Sequence, residues 1–350
     1  MTSAPSPEGQ FQVTVQPSGR TFRVEAGEAM LAAAIRQGIG MPYGCKDGAC
    51  GSCKCLKLEG TVVHGPHQSK ALSAQEEADG FVLTCCGVPQ TDVVLESKQV
   101  TDESAFPVRK MPSRVISLEK KSHDVMIVRL QLPANDALRY HAGQYIEFIM
   151  RDGARRSYSM ANAAHNGPGV ELHIRHMPGG KFTDHVFTAM KEKEILRIEG
   201  PFGSFFLRED SDKPMVLLAS GTGFAPIKAL VEHMEAKGST RAAVLYWGGR
   251  RPGDLYMDAW VRQRCAAMPN LAYVPVVSNA LPEDDWQGRT GFVHQAVMQD
   301  FPDLSGHQVY ACGAPIVVDS ARSDYVQRCR LPAEEFFADS FTTEADKAHA

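Results

Sequence analysis

The sequence predicts a multidomain α+β and α/β protein with three consecutive folded parts. These are a small α+β domain, a six-stranded antiparallel barrel and a domain built on a parallel sheet. Three patterns in the 350 residues predict this order. A cysteine-rich loop follows two short strands and a helix, closely spaced strands fill the middle, and strands then alternate with helices. We expect the domains to span residues 9–99, 109–210 and 211–350.

Composition and charge set outer limits on function. Hydrophobic residues make up 43% of the chain, which is ample for packed cores, and 37 basic residues nearly balance 41 acidic ones. This balance predicts no nucleic-acid surface, and no apolar run is long enough to predict a membrane span. The first ten residues lack the basic and apolar segments of a secretory signal. Nine cysteines without a disulfide framework fit a reducing compartment, so we expect a cytoplasmic protein.

The first domain opens with a hairpin followed by a helix. Residues 11–15 and 21–24 alternate between apolar and polar, and Pro17-Ser-Gly19 separates them. Residues 29–37 then predict a helix that ends at Gly38. The cysteine-rich loop comes directly after this helix.

The spacing of Cys45, Cys50 and Cys53 is Cys-x4-Cys-x2-Cys, and a further thiol follows on a separate segment, at Cys85 or Cys86. This is the plant-type arrangement for four thiolates around a [2Fe–2S] cluster. Interleaved glycines allow a tight loop whose N–H groups reach the sulfurs. Zinc is the alternative, but its motifs usually pair two Cys-x2–4-Cys units. On extended backbone the two adjacent cysteines would point to opposite sides, so we expect only one to be a ligand.

The second domain contains closely spaced segments with strand character, at residues 113–119, 125–131, 144–150, 156–161 and 170–176. Arg156-Ser-Tyr-Ser159 lies on one of these predicted barrel strands, and alone it would be ordinary strand surface. Gly179 and Gly180 precede a helix predicted to begin near residue 182, an arrangement that favours an anion at the helix N-terminus. Arg156 could add bidentate contacts to the same anion.

The third domain alternates strands and helices, with strands predicted at residues 215–219, 242–247, 273–277 and 309–312. Gly221-Thr222-Gly223 follows the first of these strands and leads into a helix, a turn that can approach a dinucleotide diphosphate. Cys312 and Gly313 end the last strand, at the edge where ligands of open α/β sheets bind. Taken alone, Cys312 would be an ordinary small buried residue.

Together these motifs resemble the ferredoxin–NADP reductase superfamily, and in particular its reductases with an N-terminal plant-type ferredoxin domain of β-grasp fold. The resemblance runs from about residue 11 to residue 341. Residues 156–162, 173–180 and 221–228 are similar to two groups. One is the reductase components of Rieske aromatic-ring dioxygenases, especially the terephthalate type. The other is CDP-6-deoxy-3,4-glucoseen reductase.

The resemblance implies the cofactors and the residues that hold them. The Leu-Thr-Cys of plant-type ferredoxins matches Leu83-Thr84-Cys85 and assigns Cys85 as the fourth cluster ligand. FAD is implied rather than FMN, because FMN relatives generally carry the ferredoxin domain at the other end. The implied FAD residues are Arg156 and Thr183 at the pyrophosphate with Gly179 and Gly180, Tyr158 against the isoalloxazine, and Ser159 near its N5. Phe341 would cover the flavin or, alternatively, pack in a core. The implied nicotinamide residues are Gly221, Thr222, Gly223 and Pro226 at the phosphates, and Cys312 with Gly313 beside the C4 carbon.

The implied activity is that of an NAD(P)H:acceptor oxidoreductase with Cys312 and Ser159 as its catalytic residues. Electrons would pass from NAD(P)H through FAD and the cluster to an electron-accepting partner protein, and we expect the reductase to be monomeric. The partner would be a Rieske-type oxygenase component or, alternatively, a sugar dehydratase. A mere electron carrier would need neither the flavin nor the nicotinamide motif.

The choice between NADH and NADPH stays open. Arg250 and Arg251 follow the second parallel strand, where a 2′-phosphate could bind, while Asp254 could favour an unphosphorylated ribose. The acidic residue slightly favours NADH.

Overall fold

The computed structural model describes residues 9–100, 106–134, 138–167 and 169–342. These residues form two compact units. One ends at Pro107 and also contains the last described residues from Ser340 onward, and the other spans Val108–Asp339. The described residues contain three large sheets and one two-stranded sheet.

The first unit contains a mixed five-stranded sheet with the order β2-β1-β7-β3-β5. Strands β1 and β7 run parallel, and the other pairs in this sheet are antiparallel. Its elements are β1 (Gln10–Gln16), β2 (Arg20–Glu25), α1 (Met30–Arg36), β3 (Lys54–Glu59), β4 (Val62–His64), α2 (Ala74–Ala78), β5 (Phe81–Leu83), β6 (Gly87–Pro89) and β7 (Val93–Glu96). The cysteine-rich loop connects α1 to β3, as the sequence predicts.

The second unit begins with an antiparallel barrel of order β11-β10-β13-β8-β9-β12. A bridge between Met160 and Leu172 joins the two end strands and closes it. Its elements are β8 (Arg109–Lys120), β9 (Val125–Gln131), β10 (Tyr145–Ile149), β11 (Arg155–Ser159), β12 (Gly169–Arg175), α3 (Lys181–Thr188) and β13 (Ile195–Phe202). The sequence analysis expected six strands and located five. The sixth is β13, which alternates only at its start and then continues as a buried run.

A six-stranded sheet of order β17-β16-β15-β14-β18-β19 completes the second unit. Strands β14 to β18 pair in parallel. The elements are β14 (Met215–Ser220), α4 (Phe224–Ala236), β15 (Ala243–Gly249), α5 (Asp258–Ala267), β16 (Leu271–Val277), β17 (Arg289–Thr290), α6 (Val293–Asp300), β18 (Gln308–Gly313), α7 (Pro315–Arg328) and β19 (Phe336–Ser340). Residues Met215–Ala219 of β14 are all buried, as expected for a central strand covered on both faces.

The described helices are short. The longest, α7, has 14 residues, and none of those described combines the length and apolar character that crossing a bilayer requires. Single turns of 3-10 helix occur at Ala164–Asn166, Gly221–Gly223, Pro252–Asp254, Pro282–Asp284 and Ala333–Glu335.

Candidate functional site

The four thiols predicted to bind the cluster lie together in the first unit as two pairs. Cys45 contacts Cys50, and Cys85 contacts Cys53. Two backbone donors point at these sulfurs: the N–H of Cys45 lies 3.4 Å from Cys50 Sγ, and the N–H of Gly48 lies 3.2 Å from Cys85 Sγ. The Cys45 thiol donates to Cys50, and this contact lowers the pKa of Cys50 to about 6. The same contact raises the pKa of Cys45, and the contact with Cys53 raises that of Cys85. Each pair therefore shares a proton that iron binding would have to displace.

Two glycines let the loop take this shape. Gly48 has φ +75°, and a Cβ there would lie 2.8 Å from Cβ of His67. Gly51 has φ +74°, and a Cβ there would lie 3.2 Å from the carbonyl oxygen of Ala71. Both positions combine left-handed backbone with close packing, so only glycine fits without strain. The loop is thus held against residues 66–71 with its sulfurs gathered.

The donor set matches a two-iron cluster better than a single ion. Among the described residues, no group of three or more His, Cys, Asp and Glu side chains surrounds a point where one metal ion could bind. A [2Fe–2S] cluster needs two thiolates on each of two irons, which is the arrangement of the Cys45/Cys50 and Cys53/Cys85 pairs. Since four thiols and two aimed N–H groups are present, the residues fit the cluster.

The backbone argument about the adjacent cysteines was wrong in its premise. Residues 84–86 form a turn rather than extended strand, and the thiols of Cys85 and Cys86 contact each other. The Cys85 thiol donates to Cys86, which lowers the pKa of Cys86 to about 7. Only Cys85 receives the Gly48 N–H and contacts Cys53, so geometry favours it as the ligand. Cys55 lies buried in β3, and burial raises its pKa to about 12.

The predicted flavin residues lie on β11 and at the start of α3. Tyr158 packs against Phe148 and Phe182 with ring centroids at 5.9 and 5.4 Å, and burial raises the pKa of its hydroxyl. Arg156, two residues earlier, is half-buried, and its Nη1 donates to the carbonyl oxygen of Arg155 at 2.7 Å. Ser159, the last residue of β11, is buried. The strand therefore presents the three residues in the order that the motif predicts.

At the start of α3, two side chains form hydrogen bonds with the loop that precedes the helix. The hydroxyl of Thr183 donates to the carbonyl oxygen of Met177 at 2.9 Å, and the Asp184 carboxylate accepts from the N–H of Gly179 at 3.1 Å. A Cβ on Gly180 would lie 2.7 Å from the Thr183 hydroxyl, so this glycine allows the close turn. Thr183 therefore closes the loop, and the place of Gly179, Gly180 and Thr183 at a pyrophosphate stays a prediction.

The predicted nucleotide turn packs directly against the end of β18. A Cβ on Gly223 would lie 2.2 Å from the carbonyl oxygen of Cys312, and a Cβ on Gly313, which has φ +131°, would lie 2.3 Å from Oγ of Ser220. Neither position can carry a side chain without moving the backbone. Thr222 is buried between the two glycines, and Pro226 is buried in the first turn of α4. The predicted phosphate turn and Cys312 are therefore neighbours, and backbone there can approach a dinucleotide.

An acidic side chain that sequence reasoning missed lies near both predicted catalytic residues. Ser159 Oγ donates to Asp339 Oδ2 at 3.0 Å, and both residues are buried. Burial raises the pKa of the Cys312 thiol well above its ordinary value, and the negative charge of Asp339 adds to that shift. Asp339 therefore contacts Ser159 of the barrel directly and acts on Cys312 of the parallel sheet through its charge. The only sequence signal was a lone acidic residue inside the apolar run Phe336-Phe-Ala-Asp-Ser-Phe341.

The adenosine end of the predicted site contains two arginines with different partners. Arg251 forms two hydrogen bonds of 2.8 Å to the carboxylate of Asp284. Asp254 Oδ2 accepts the backbone N–H of both Arg250 and Arg251, at 2.8 and 3.0 Å, so it shapes the turn. Arg250 is exposed and directly follows β15, at the carboxyl edge of the sheet. Of the two arginines, Arg250 is the better placed to meet a ligand.

A buried polar cluster joins the barrel to the parallel sheet within the second unit. Lys228 of α4 donates to the carbonyl oxygen of Ala161 at 3.0 Å and contacts both Glu232 and, at 3.1 Å, Glu171 of β12. His173, two residues along β12, lies between Glu171 and Tyr256 at 3.1 and 2.8 Å. Sequence reasoning found none of this, because the contacts that cross between the barrel and the parallel-sheet part join residues far apart in the chain.

Comparison with known proteins agrees with this organisation. Three family models match in order: a 2Fe-2S iron-sulfur cluster binding domain at residues 13–90, an oxidoreductase FAD-binding domain at 112–207 and an oxidoreductase NAD-binding domain at 217–323. The CDP-6-deoxy-L-threo-D-glycero-4-hexulose-3-dehydrase reductase of Yersinia pseudotuberculosis serotype I (strain IP32953) is 40% identical over 95% of this chain and 98% of its own length. The chain belongs to the iron–sulfur flavoprotein reductases of the ferredoxin–NADP reductase superfamily.

Other members of this family are similar over the same length. Reductase component 1 of terephthalate 1,2-dioxygenase from a Comamonas species is 32% identical over 97% of this chain and 99% of its own. The crystal structure of an Amycolatopsis cytochrome P450 reductase matches with a TM-score of 0.78 and 33% identity, covering 95% of this chain and 99% of that one. The predicted resemblance, the three-part fold and the cofactor set of a [2Fe–2S] cluster, FAD and a nicotinamide are thereby confirmed. The protein is an NAD(P)H-dependent oxidoreductase, a reductase component that serves a partner protein.

Phe341 is partly buried one residue beyond β19. Its predicted place over the flavin is untested by these comparisons, as is its alternative place in a core.

Proposed function

We propose that this reductase takes electrons from NADH or NADPH and delivers them singly to the oxygenase component of a Rieske-type aromatic-ring dioxygenase. One observation carries the proposal. The same chain holds two pairs of thiols arranged for two irons and a separate site where Asp339 hydrogen-bonds Ser159 and raises the pKa of Cys312 through its charge. A flavin bound there would supply the chemistry that links a two-electron hydride donor to a one-electron acceptor.

The protein's own residues would bind, orient and shield the two cofactors. In our proposal Arg156 and the Gly179–Thr183 turn hold the FAD pyrophosphate, and Tyr158 lies beside the ring system. Ser159 offers its hydroxyl near the reacting edge of the flavin, and Asp339 fixes the orientation of that hydroxyl by accepting a buried hydrogen bond from it. Burial keeps Cys312 a neutral thiol, so the nicotinamide would meet an uncharged side chain there.

The turn Gly221-Thr222-Gly223 supplies the phosphate-binding part. The 13-residue helix α4 starts directly after it, so unpaired N–H groups and the positive end of the helix dipole would face a diphosphate. Close packing of Gly223 against the carbonyl of Cys312 would hold that diphosphate and the reacting end of the nicotinamide in a fixed relation. Arg250 would lie at the opposite, adenosine end.

The first experiment separates reduction from delivery. In a Cys85→Ser variant, NAD(P)H should still reduce the flavin, while reduction of a one-electron protein acceptor such as cytochrome c should collapse. Equal loss of both activities would limit Cys85 to a structural role. A wild-type protein that binds flavin yet reduces no cytochrome c would contradict the proposed function and favour a carrier.

A sugar dehydratase is the second candidate acceptor. What favours it is the 40% identity to a hexulose-dehydrase reductase over nearly the whole chain, compared with 32% to the terephthalate dioxygenase reductase component. Reconstitution of the wild-type reductase with each purified acceptor would discriminate the two, since only the true partner should turn over its own substrate with NAD(P)H.

We also infer a monomer in the cytoplasm. None of the nine cysteines forms a disulfide, which fits a reducing compartment. Sedimentation of the holoenzyme at the mass of two chains would contradict the monomer.

A further inference from the structure

The cluster between the barrel and the parallel sheet contains a chain of contacts that runs from the flavin-binding part to the nucleotide turn. At its centre, the hydroxyl of Tyr256 lies 2.8 Å from Nδ1 of His173, and Nε2 of the same ring lies 3.1 Å from Glu171. The carboxylate of Glu171 can only accept, so Nε2 carries the hydrogen and Nδ1 accepts from Tyr256. The ring of His173 is fully buried, and both of its nitrogens are used.

Tyr256 continues the chain toward Gly221. Its ring meets that of Trp247 edge-on with centroids 5.2 Å apart, and Nε1 of Trp247 donates to the carbonyl oxygen of Gly221 at 3.0 Å. Phe224, the first residue of α4, stacks on Trp247 at 3.9 Å and meets Tyr256 edge-on at 6.2 Å. The phosphate turn therefore rests on a packed aromatic column whose other end is Tyr256.

The barrel end of the chain of contacts lies near residues of both predicted sites. Arg175, on the same strand as His173, has its Nη1 3.2 Å from where a Cβ on Gly221 would lie. Strand β12 is also bridged to the end of β11, next to Ser159, through Met160 and Leu172. A shift of β12 relative to the column would therefore change the distance between the flavin residues and the nucleotide turn.

We propose that Tyr256 and His173 are positioning residues for hydride transfer. Their hydrogen bond fixes β12 against the column that supports Gly221, and so aligns the two cofactor sites with each other. A phenylalanine at this position would pack against the neighbouring rings just as well as Tyr256. The packing therefore does not require the hydroxyl, and its hydrogen bond to His173 is the contact that a phenylalanine would lose. Its hydrogen bond crosses from the parallel sheet to the barrel, where small displacements matter most for a transfer between two bound groups.

The test is Tyr256→Phe beside Tyr246→Phe. Tyr246 is a matched control because it is a buried tyrosine whose hydroxyl donates to Asp300 at 2.6 Å, a hydrogen bond that stays within the parallel-sheet domain. The first readout is amide hydrogen exchange of the flavin-free protein. Tyr256→Phe should speed exchange about fivefold or more in peptides covering β12 and residues 220–224. Tyr246→Phe should leave both segments as in the wild type.

The second readout is the rate of flavin reduction at saturating NADH, with the affinity for NAD⁺ measured separately. Tyr256→Phe should slow reduction about fivefold or more and leave the Kd for NAD⁺ unchanged. The proposal would be overturned if Tyr256→Phe showed the exchange and the flavin-reduction rate of the wild type. It would also be overturned if the variant only bound NAD⁺ more weakly and reduced its flavin at the wild-type rate. This inference rests on the proposed placement of the two cofactors. If the wild type itself fails to reduce its flavin, the proposed function fails, whereas a reducing wild type with an unaffected Tyr256→Phe variant refutes only the positioning role.

Discussion

Replacing Lys228 with methionine tests how the barrel and the parallel sheet are held together. The Lys228 side chain is 5% exposed and lies between the carboxylates of Glu171 and Glu232, which are 12% and 14% exposed. Methionine preserves the length and apolar stem but removes the charge, so both carboxylates lose a buried cationic partner, although Glu171 keeps its contact with Arg129 at 2.9 Å. Breaking a buried ion pair from one side costs about 3–5 kcal/mol. We expect that loss in the free energy of unfolding of the second unit.

A surface pair provides the control. Lys213 contacts Glu335 at 2.5 Å, but its side chain is 40% exposed, so Lys213→Met should cost about 1 kcal/mol or less. The assay is urea unfolding of the flavin-free protein followed by tryptophan fluorescence. All three tryptophans lie between residues 247 and 286, so the signal reports the second unit. With a urea dependence of about 3 kcal/mol per molar, Lys228→Met should lower the midpoint by about 1 M or more.

The pH dependence sharpens this prediction. Burial raises the pKa of Glu171, but the hydrogen bond from His173 and the charge of Lys228 outweigh it and lower that pKa from 4.5 to about 2. A lowered folded-state pKa gives stability that is present above pH 4.5 and lost as the pH falls toward 2. Lys228→Met raises this pKa, so its penalty should be greatest near pH 7 and smaller at pH 4. A penalty no larger than that of Lys213→Met, or one independent of pH, would refute the reasoning.

Three further predictions concern the cofactor sites. Cys85→Ser should lose most of its iron after anaerobic reconstitution while Cys86→Ser keeps it, and full iron in the Cys85 variant would show the ligand assignment to be wrong. Asp339→Ala should slow flavin reduction by NADH about tenfold or more in stopped-flow measurements, because the Ser159 hydroxyl loses a charged, buried acceptor; an unchanged rate would remove Asp339 from the site. Arg250→Ala should weaken NADPH about tenfold or more and leave NADH unaffected in titrations, since only NADPH carries the 2′-phosphate that an arginine can pair with; equal weakening of both would mean that Arg250 does not read the phosphate.

The parts of the fold that the sequence predicted are those with local signals. The buried run Met215–Ala219 can only be a covered strand or a core helix, and the turn residues that follow settle it as a strand. The spacing of Cys45, Cys50 and Cys53 is an equally local signal, because one short loop has to fold around the cluster that it binds. The turn at residues 84–86 escaped prediction since no glycine or proline lies within it, although Gly87 follows directly.

The parts that could not be predicted depend on contacts between distant residues. Ser159 and Asp339 are 180 positions apart, and Lys228 is 67 positions from the carbonyl that it contacts at Ala161. No periodicity or motif encodes such pairs, because each partner has an ordinary local environment in its own strand or helix. An acidic residue in an apolar strand and a lysine in a buried helix face were the only traces. Such residues are worth noting in a sequence even when their partners are unknown.

The contrast between local motifs and distant contacts separates two requirements of the reaction. Local motifs suffice to bind each group, since glycine turns and cysteine loops need only their own neighbours. Transfer between two bound groups also requires that the barrel and the parallel sheet be aligned with each other. Three residues of the parallel-sheet part contact the barrel and could hold this alignment: Asp339, Tyr256 and Lys228. Because these contacts are buried and polar, a misaligned arrangement would leave donors and carboxylates unpaired, so one arrangement is strongly preferred. The cost of leaving polar groups unsatisfied therefore favours the aligned arrangement, in addition to the apolar packing of the same elements.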